Sequence, residues 1–179
     1  TEHIKAKVAS AGGDPEREAL TVVKRRPDSL SEEEKALPYN DLYYKDEDGN
    51  FWAMCLFIEG SATYEMADSP ALAYKGGKGI GKFQSQLADF DVPLSETIKG
   101  FHNIRWRFVQ WEEALARDAA GRVKDLQEEI GWIESRKEEM LAFWSLVEDG
   151  TIPTRVTHND TKISNILFDE AGEVLCVID

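Results

Sequence analysis

The residues best suited to chemistry lie close to the carboxyl end of the sequence. One residue separates His158 from Asp160, and four residues separate Asp160 from Asn165. Asp179 comes directly after an apolar run that is typical of a strand. Carboxylate and amide oxygens are the hard ligands that Mg²⁺ prefers, and a carboxylate can also accept or orient the proton of a hydroxyl. This set of residue types indicates phosphoryl transfer, in which positioning and charge neutralisation supply most of the rate.

A β-hairpin is predicted to bring these side chains together. Residues 165–168 are typical of one strand, residues 169–172 of a turn, and residues 174–178 of the return strand. A four-residue turn would place Asn165 opposite about Cys176. Asn165 would then enter the first strand at the end where Asp179 leaves the second.

Each side chain at that end has a predicted role. Asn165 and Asp179 would supply oxygen ligands to Mg²⁺, and Asp160, on the preceding loop, would accept or orient the proton of an attacking hydroxyl. Lys162 could place a cation near the transferred phosphoryl group. We therefore expect three oxygen-bearing side chains to meet around one magnesium ion.

The rest of the sequence predicts a small antiparallel sheet followed by helices, an α+β fold. Residues 1–10 indicate a helix, residues 19–24 a strand, residues 25–40 a loop, and the β-rich runs on either side of Asp46–Asn50 a hairpin. Ser69 and Pro70 are typical of a helix start. Periodic apolar residues predict two further helices, one over residues 104–115 and one long helix over residues 123–147.

Composition restricts the possible partners. The formal net charge is −13, and such a surface repels the phosphate backbone of nucleic acids. No apolar run approaches the roughly 20 residues that a membrane helix needs, and no signal-peptide pattern is present, so a cytoplasmic location is expected. Cys55 and Cys176 both lie in apolar runs and are predicted to be buried free thiols.

The spacing of His158, Asp160 and Asn165, with Asp179 after a strand, resembles the catalytic loop and metal-binding aspartate of the eukaryotic-like kinase superfamily. With Asn159 between the histidine and the aspartate, the motif resembles that of the aminoglycoside phosphotransferase and choline kinase branch. Three stretches resemble N-acetylhexosamine 1-kinase-like members of that branch: residues 157–162, 56–60 and 101–103.

The resemblance implies a protein-kinase-like fold that uses ATP and Mg²⁺. Residues 1–60 would form a partial N-terminal lobe and hinge, and residues 61–179 a helical C-terminal lobe that carries the catalytic loop and hairpin. The hinge backbone would hydrogen-bond adenine through four residues: Leu56, Phe57, Ile58 and Glu59.

The resemblance also implies a role for each residue near the hairpin. Asp160 would be the catalytic base, with Asn165 and Asp179 as the ligands of Mg²⁺. His158 would brace the catalytic loop, and Lys162 matches a lysine of protein Ser/Thr kinases. The phosphate acceptor would be a small molecule, with the 1-hydroxyl of an N-acetylhexosamine as the first choice and choline, an aminoglycoside or homoserine as alternatives.

Two parts of the kinase pattern have no counterpart in the sequence. A glycine loop over the phosphates and a phosphate-binding lysine would lie before Thr1, and most acceptor-binding residues would follow Asp179. We therefore expect the sequence to be part of a longer protein, and this stretch alone to be inactive.

Other interpretations of the same residues are possible. Gly76–Gly81 is similar to a phosphate loop, but it follows a helix start rather than a strand, so close helix packing is the favoured interpretation. A zinc site formed by His158 and Asp160 would need a third ligand nearby, and the local sequence offers none. A nucleotide-binding or interaction module without transfer activity is the alternative function class. The oligomeric state stays open.

Overall fold

The computed structural model describes all residues from 1 to 179, and they form two compact units. One unit contains residues 1–90 and 156–179, and the other contains residues 91–155. The α-helices are α1 Glu2–Ser10, α2 Glu32–Lys35, α3 Pro70–Gln86, α4 Ile104–Arg117, α5 Gln127–Glu134 and α6 Lys137–Glu148. The strands are β1 Tyr44–Lys45, β2 Phe51–Trp52, β3 Ile166–Phe168 and β4 Val174–Val177. Short 3₁₀ helices span Pro27–Ser29, Val123–Asp125 and Ile163–Asn165.

This mixture of helices and small antiparallel sheets agrees with the α+β prediction. Residues 56–59, the predicted hinge, and the hairpin β3–β4 lie in the same unit. The predicted division into lobes at residue 60 does not coincide with the boundaries of these two compact units, and it stays a prediction.

The strands β3 and β4 form the predicted hairpin, but in another register. The antiparallel partners are Ile166 with Val177, Leu167 with Cys176, and Phe168 with Val174. Leu175 is therefore an extra residue on the β4 side, which is a β-bulge. The predicted pairing of Asn165 with Cys176 is wrong by two positions. Five residues rather than four separate the paired residues Phe168 and Val174, and the bulge, for which the sequence carries no local signal, adds the second position.

The bulge changes the position of the functional end of the hairpin. The main-chain N–H of Ile178 donates a hydrogen bond of 2.8 Å to the main-chain oxygen of Asn165. Because Asp179 directly follows Ile178, the bulge places Asp179 next to the residue that pairs with Asn165.

Helix α3 supports the hairpin through a close approach of backbone and side chains. Ile80 on α3 packs in one buried cluster with Ile166 and Phe168 of β3. A Cβ atom on Gly76 would lie 2.7 Å from Ile163 Cδ1, and one on Gly79 would lie 2.7 Å from Val174 Cγ1. Glycine therefore lets α3 lie close to the hairpin, which supports the helix-packing interpretation at Gly76 and Gly79, whereas a Cβ atom on Gly77 or Gly81 would have nothing within 4 Å.

The amino-terminal part has less regular structure than predicted. The hairpin β1–β2 forms, with Asp46 accepting a hydrogen bond of 2.8 Å from the indole N–H of Trp52. The predicted strand over residues 19–24 is reduced to an isolated bridge between Val22 and Cys55. The predicted loop over residues 25–40 contains the single turn of α2, which begins at a capping box between Ser31 and Glu34.

One of the two cysteines is not buried. Cys176 has 3% of its surface exposed, as predicted, but Cys55 is exposed. The prediction for Cys55 is wrong: the residue lies in an isolated bridge with Val22, outside both sheets, and not in a buried strand.

The second unit is helical, and its helix α4 packs against α6. Asn103 caps α4 by accepting a hydrogen bond of 3.1 Å from the main-chain N–H of Trp106. The single long helix predicted over residues 123–147 is wrong, because α5 ends before Ser135 and α6 begins after Arg136.

Local hydrogen bonds explain this break between α5 and α6. The hydroxyl of Ser135 and the guanidinium of Arg136 both donate to the main-chain oxygen of Trp132, at 2.8 and 2.9 Å. The Arg136 guanidinium also lies 3.8 Å from the centre of the Trp132 ring. The apolar periodicity continues across the break, so the pattern alone did not reveal it.

None of the helices in the chain combines the length and the apolar character that crossing a membrane requires.

Candidate active site

Asn165 anchors the loop that leads into the hairpin. The last 3₁₀ helix, Ile163–Asn165, ends at this residue, and only 4% of its surface is exposed. Its amide nitrogen Nδ2 donates to the main-chain oxygen of Asp160 at 2.9 Å and to Asp160 Oδ2 at 3.1 Å. Both bonds use the nitrogen. The amide oxygen Oδ1 makes no hydrogen bond within the protein, so it is available to another partner.

Lys162 lies between two carboxylates. Its ammonium nitrogen is 2.8 Å from Asp160 Oδ2 and 3.9 Å from Asp179 Oδ2. The side chains of Asp160, Lys162 and Asp179 are 58%, 52% and 70% exposed, so they line an open surface rather than a closed core. The structure thus brings together Asp160, Asn165 and Asp179, with Lys162 between the two carboxylates.

His158 links the predicted catalytic loop to the residue that follows β4. Its Nδ1 accepts a hydrogen bond of 3.2 Å from the main-chain N–H of Asp160, and its Nε2 lies 3.0 Å from the main-chain oxygen of Ile178. A main-chain N–H only donates and a carbonyl only accepts, so these partners select the tautomer protonated on Nε2. The ring also makes an edge contact with Phe83 of α3, with the ring centres 5.8 Å apart. His158 is thereby positioned as a brace between the loop and the residue before Asp179.

The contacts of Asp160 keep its carboxyl group ionised. The hydrogen bond from the Lys162 ammonium holds the pKa of Asp160 below its ordinary value, and the hydrogen bond from Asn165 acts in the same direction. The carboxylate of Asp160 in turn raises the pKa of Lys162, and the charges of Asp179 and Glu65 add to that effect. Asp160 is therefore an anion, and Lys162 a cation, at neutral pH.

The predicted hinge residues lie on a segment that is partly hydrogen-bonded already. The main-chain N–H of Leu56 donates to Thr21, and the main-chain oxygen of Glu59 accepts from Arg17. Phe57 is 83% exposed, and its main-chain groups make no hydrogen bond within the protein, whereas the side chain of Ile58 is buried. The backbone at Phe57 is thus free to pair with a ligand.

Sequence reasoning missed the residues that join the hinge segment to the catalytic loop. Ala62 exchanges two main-chain hydrogen bonds with Phe168 of β3, at 2.8 and 2.9 Å. The hydroxyl of Thr63 donates to the main-chain oxygen of Ser164, at 3.0 Å. These partners are about a hundred positions apart in sequence, so no local pattern could have found them.

Asn165 and Asp179 suit a magnesium ion by their chemistry. The free amide oxygen of Asn165 and the exposed carboxylate of Asp179 are hard oxygen donors, and Mg²⁺ is often held by one or two such groups together with substrate phosphates. No group of three or more His, Cys, Asp or Glu side chains is arranged to hold a metal.

A comparison with protein families identifies the family of the chain. The model of the phosphotransferase enzyme family (APH) matches residues 21–179, which is most of the sequence and includes the hinge segment and the hairpin. The chain belongs to this phosphotransferase family. Membership of the APH family supports a kinase-like fold and a phosphotransferase activity on small molecules.

Proposed function

We propose that this APH-family protein transfers the γ-phosphate of ATP to a hydroxyl group of a small molecule. The observation that carries the proposal is the meeting of Asp160, Asn165 and Asp179 at one end of a hairpin, beside the Lys162 ammonium. A loose phosphoryl-transfer transition state needs little covalent help, and it needs charge neutralisation and a well-placed hydroxyl. The geometry supports both requirements.

Asp160 is the proposed catalytic base. Its carboxylate is exposed to an incoming acceptor and is held by Asn165 and Lys162, so it can accept a hydrogen bond from the acceptor hydroxyl and orient it. A carboxylate with a lowered pKa is a weak base, which suits a reaction in which the proton leaves late. His158 fixes the main chain of Asp160 and acts as a positioning residue.

The nucleotide is proposed to bind along the hinge segment and the end of the hairpin. The unpaired main-chain groups at Phe57 can pair with the adenine edge, within the segment Leu56, Phe57, Ile58 and Glu59. Asn165 and Asp179 would hold Mg²⁺, which when bound neutralises charge on the ATP phosphates. Lys162 would place its ammonium beside the transferred group.

Beside the catalytic loop there is room for part of a small acceptor. A recess of about 460 Å³, a typical size for a ligand pocket, lies between α3 and the loop. Thr161, which directly follows Asp160, lines this recess together with Gly76 and Gly77. The lining has no charged residue, so the recess offers no counter-charge to a cationic acceptor such as choline.

The proposal is tested with the full-length protein, Mg-ATP and a panel of acceptors. The panel contains N-acetylhexosamines, choline, aminoglycosides and homoserine, and ³¹P NMR follows ADP and the phosphorylated product. We expect an N-acetylhexosamine 1-phosphate to form. Transfer to another member of the panel would keep the phosphotransferase and replace the acceptor, whereas a protein that binds no ATP would favour an interaction module without transfer activity.

A further inference from the structure

Lys162 occupies a position that a divalent cation would also favour. Its ammonium nitrogen lies 2.8 Å from one oxygen of Asp160 and 3.9 Å from one oxygen of Asp179. The charge of Glu65 also acts on Lys162. An ammonium group and a magnesium ion are both compact cations that are drawn to carboxylate oxygens.

The lysine is also free to move away. Its side chain is 52% exposed, and it has a flexible four-carbon stem. Its two ion pairs are exposed, and exposed pairs are weak enough to be exchanged at little cost. The position of Lys162 is therefore one that a ligand with several phosphate oxygens could change.

We propose that Lys162 is a tethered counter-cation that competes with divalent metal for Asp179 in the nucleotide-free protein. This inference rests on the proposed function, because it takes Asp179 as a ligand of the metal. In the absence of nucleotide, the ammonium neutralises the two carboxylates and lowers their affinity for a free metal ion. When ATP phosphates offer the ammonium other partners, that competition ends. Metal therefore binds weakly alone and tightly together with the nucleotide.

The test measures binding of Mn²⁺ to the nucleotide-free full-length protein, using the EPR signal of free Mn²⁺. The variant Lys162→Met keeps an apolar stem of similar length and removes the charge. We expect it to bind Mn²⁺ about three- to fivefold more tightly than the wild type, the upper part of the range expected when one exposed charge contact is removed. Unchanged or weaker binding in this variant would overturn the inference.

Lys75 on α3 offers a matched control, because its ammonium contacts the turn of the same hairpin. Its ammonium pairs with Glu173 at 2.7 Å and donates to the main-chain oxygen of Gly172 at 2.9 Å, near the turn. Lys75→Met changes the net charge by the same amount as Lys162→Met. It should leave Mn²⁺ affinity within about twofold of the wild type, because charges beyond about a Debye length are screened. An equal gain in both variants would mean that net charge alone is responsible, and it would also overturn the inference.

A double variant separates this inference from the proposed function. Adding Asp179→Asn to Lys162→Met should remove the gained Mn²⁺ affinity, and a gain that survives would show that Asp179 is not the residue for which Lys162 competes. If the Mn²⁺ results are as expected but no acceptor is phosphorylated, the competition stands and the phosphotransfer proposal fails. If transfer occurs but Lys162→Met leaves Mn²⁺ binding unchanged, only the competition fails.

Discussion

Asp160, His158 and Asn165 show how much of the site could be predicted from single residues. Their types and spacing indicated the chemistry, and the structure places His158 and Asn165 in direct hydrogen bonds to Asp160. The tautomer of His158 could not be predicted, because it depends on the main-chain oxygen of Ile178, which is 20 positions away. The ion pair between Lys162 and Asp179 depends on the fold in the same way.

Cys55 provides a residue-scale prediction for the hinge. It is exposed directly before Leu56, so a thiol reagent such as DTNB should modify it at pH 8. Burial raises the pKa of Cys176 to about 11, so its thiol should stay protonated and unreactive. We expect one fast-reacting thiol per chain in residues 1–179, and saturating Mg-ATP should slow its modification severalfold if nucleotide covers residues 56–59.

Two results would contradict this prediction. Cys55→Ser should remove the fast reaction, and a fast reaction that persists in this variant would place the reactive thiol elsewhere. Modification at the same rate with and without Mg-ATP would contradict nucleotide binding at the hinge.

The raised pKa of Cys176 implies that stability depends on pH. Because burial disfavours the thiolate in the folded state, the contribution of Cys176 to the free energy of unfolding is complete below the ordinary thiol pKa. That contribution is lost as the pH rises towards about 11.

The hairpin β3–β4 shows what could be predicted at the scale of elements. Alternation and turn residues were enough to predict that the hairpin exists, and also that Asn165 and Asp179 lie at the same end. The register was wrong because the turn is one residue longer than predicted and because the bulge at Leu175 has no local sequence signal. The break between α5 and α6 was missed for a similar reason, since it results from bonds to the oxygen of Trp132.

Helix α3 provides an element-scale prediction with a matched pair of variants. A Cβ atom on Gly79 would lie 2.7 Å from one methyl of Val174 and 3.1 Å from the other, whereas a Cβ atom on Gly81 has nothing within 4 Å. Gly79→Ala should destabilise the fold by about 1–3 kcal/mol, because the valine side chain cannot move away easily. Gly81→Ala should stabilise it by about 0.5–1 kcal/mol through helix propensity.

Urea denaturation of both variants and the wild type measures these free energies of unfolding. Because the two substitutions are chemically identical and lie in one helix, their difference isolates the contact with β4. Equal effects of the two substitutions would show that α3 does not approach the hairpin this closely.

At the scale of the whole molecule, the acidic character of the chain sets the conditions for its site. A net charge of −13 would oppose the approach of ATP, so the proposed site would depend on local groups such as the Lys162 ammonium and unpaired main-chain N–H groups. Composition could predict this requirement, and membership of the APH family agrees with a phosphate-handling site. Neither composition nor the motif identifies the acceptor, because acceptor recognition depends on side chains that the fold brings together.

Asp160 is the residue that we propose as the base of the phosphotransfer reaction. Its role is tested by the rate of phosphate transfer from Mg-ATP by full-length wild type and Asp160→Asn, together with the nucleotide dissociation constant of each. Asp28→Asn is a matched control, because Asp28 pairs loosely with Arg26 on the surface, at 3.8 Å.

We expect Asp160→Asn to lower kcat at least about a hundredfold and to leave the nucleotide dissociation constant within about threefold, because the base acts in the transition state rather than in binding. Asp28→Asn should leave both quantities unchanged. Transfer by Asp160→Asn at the wild-type rate would contradict this role.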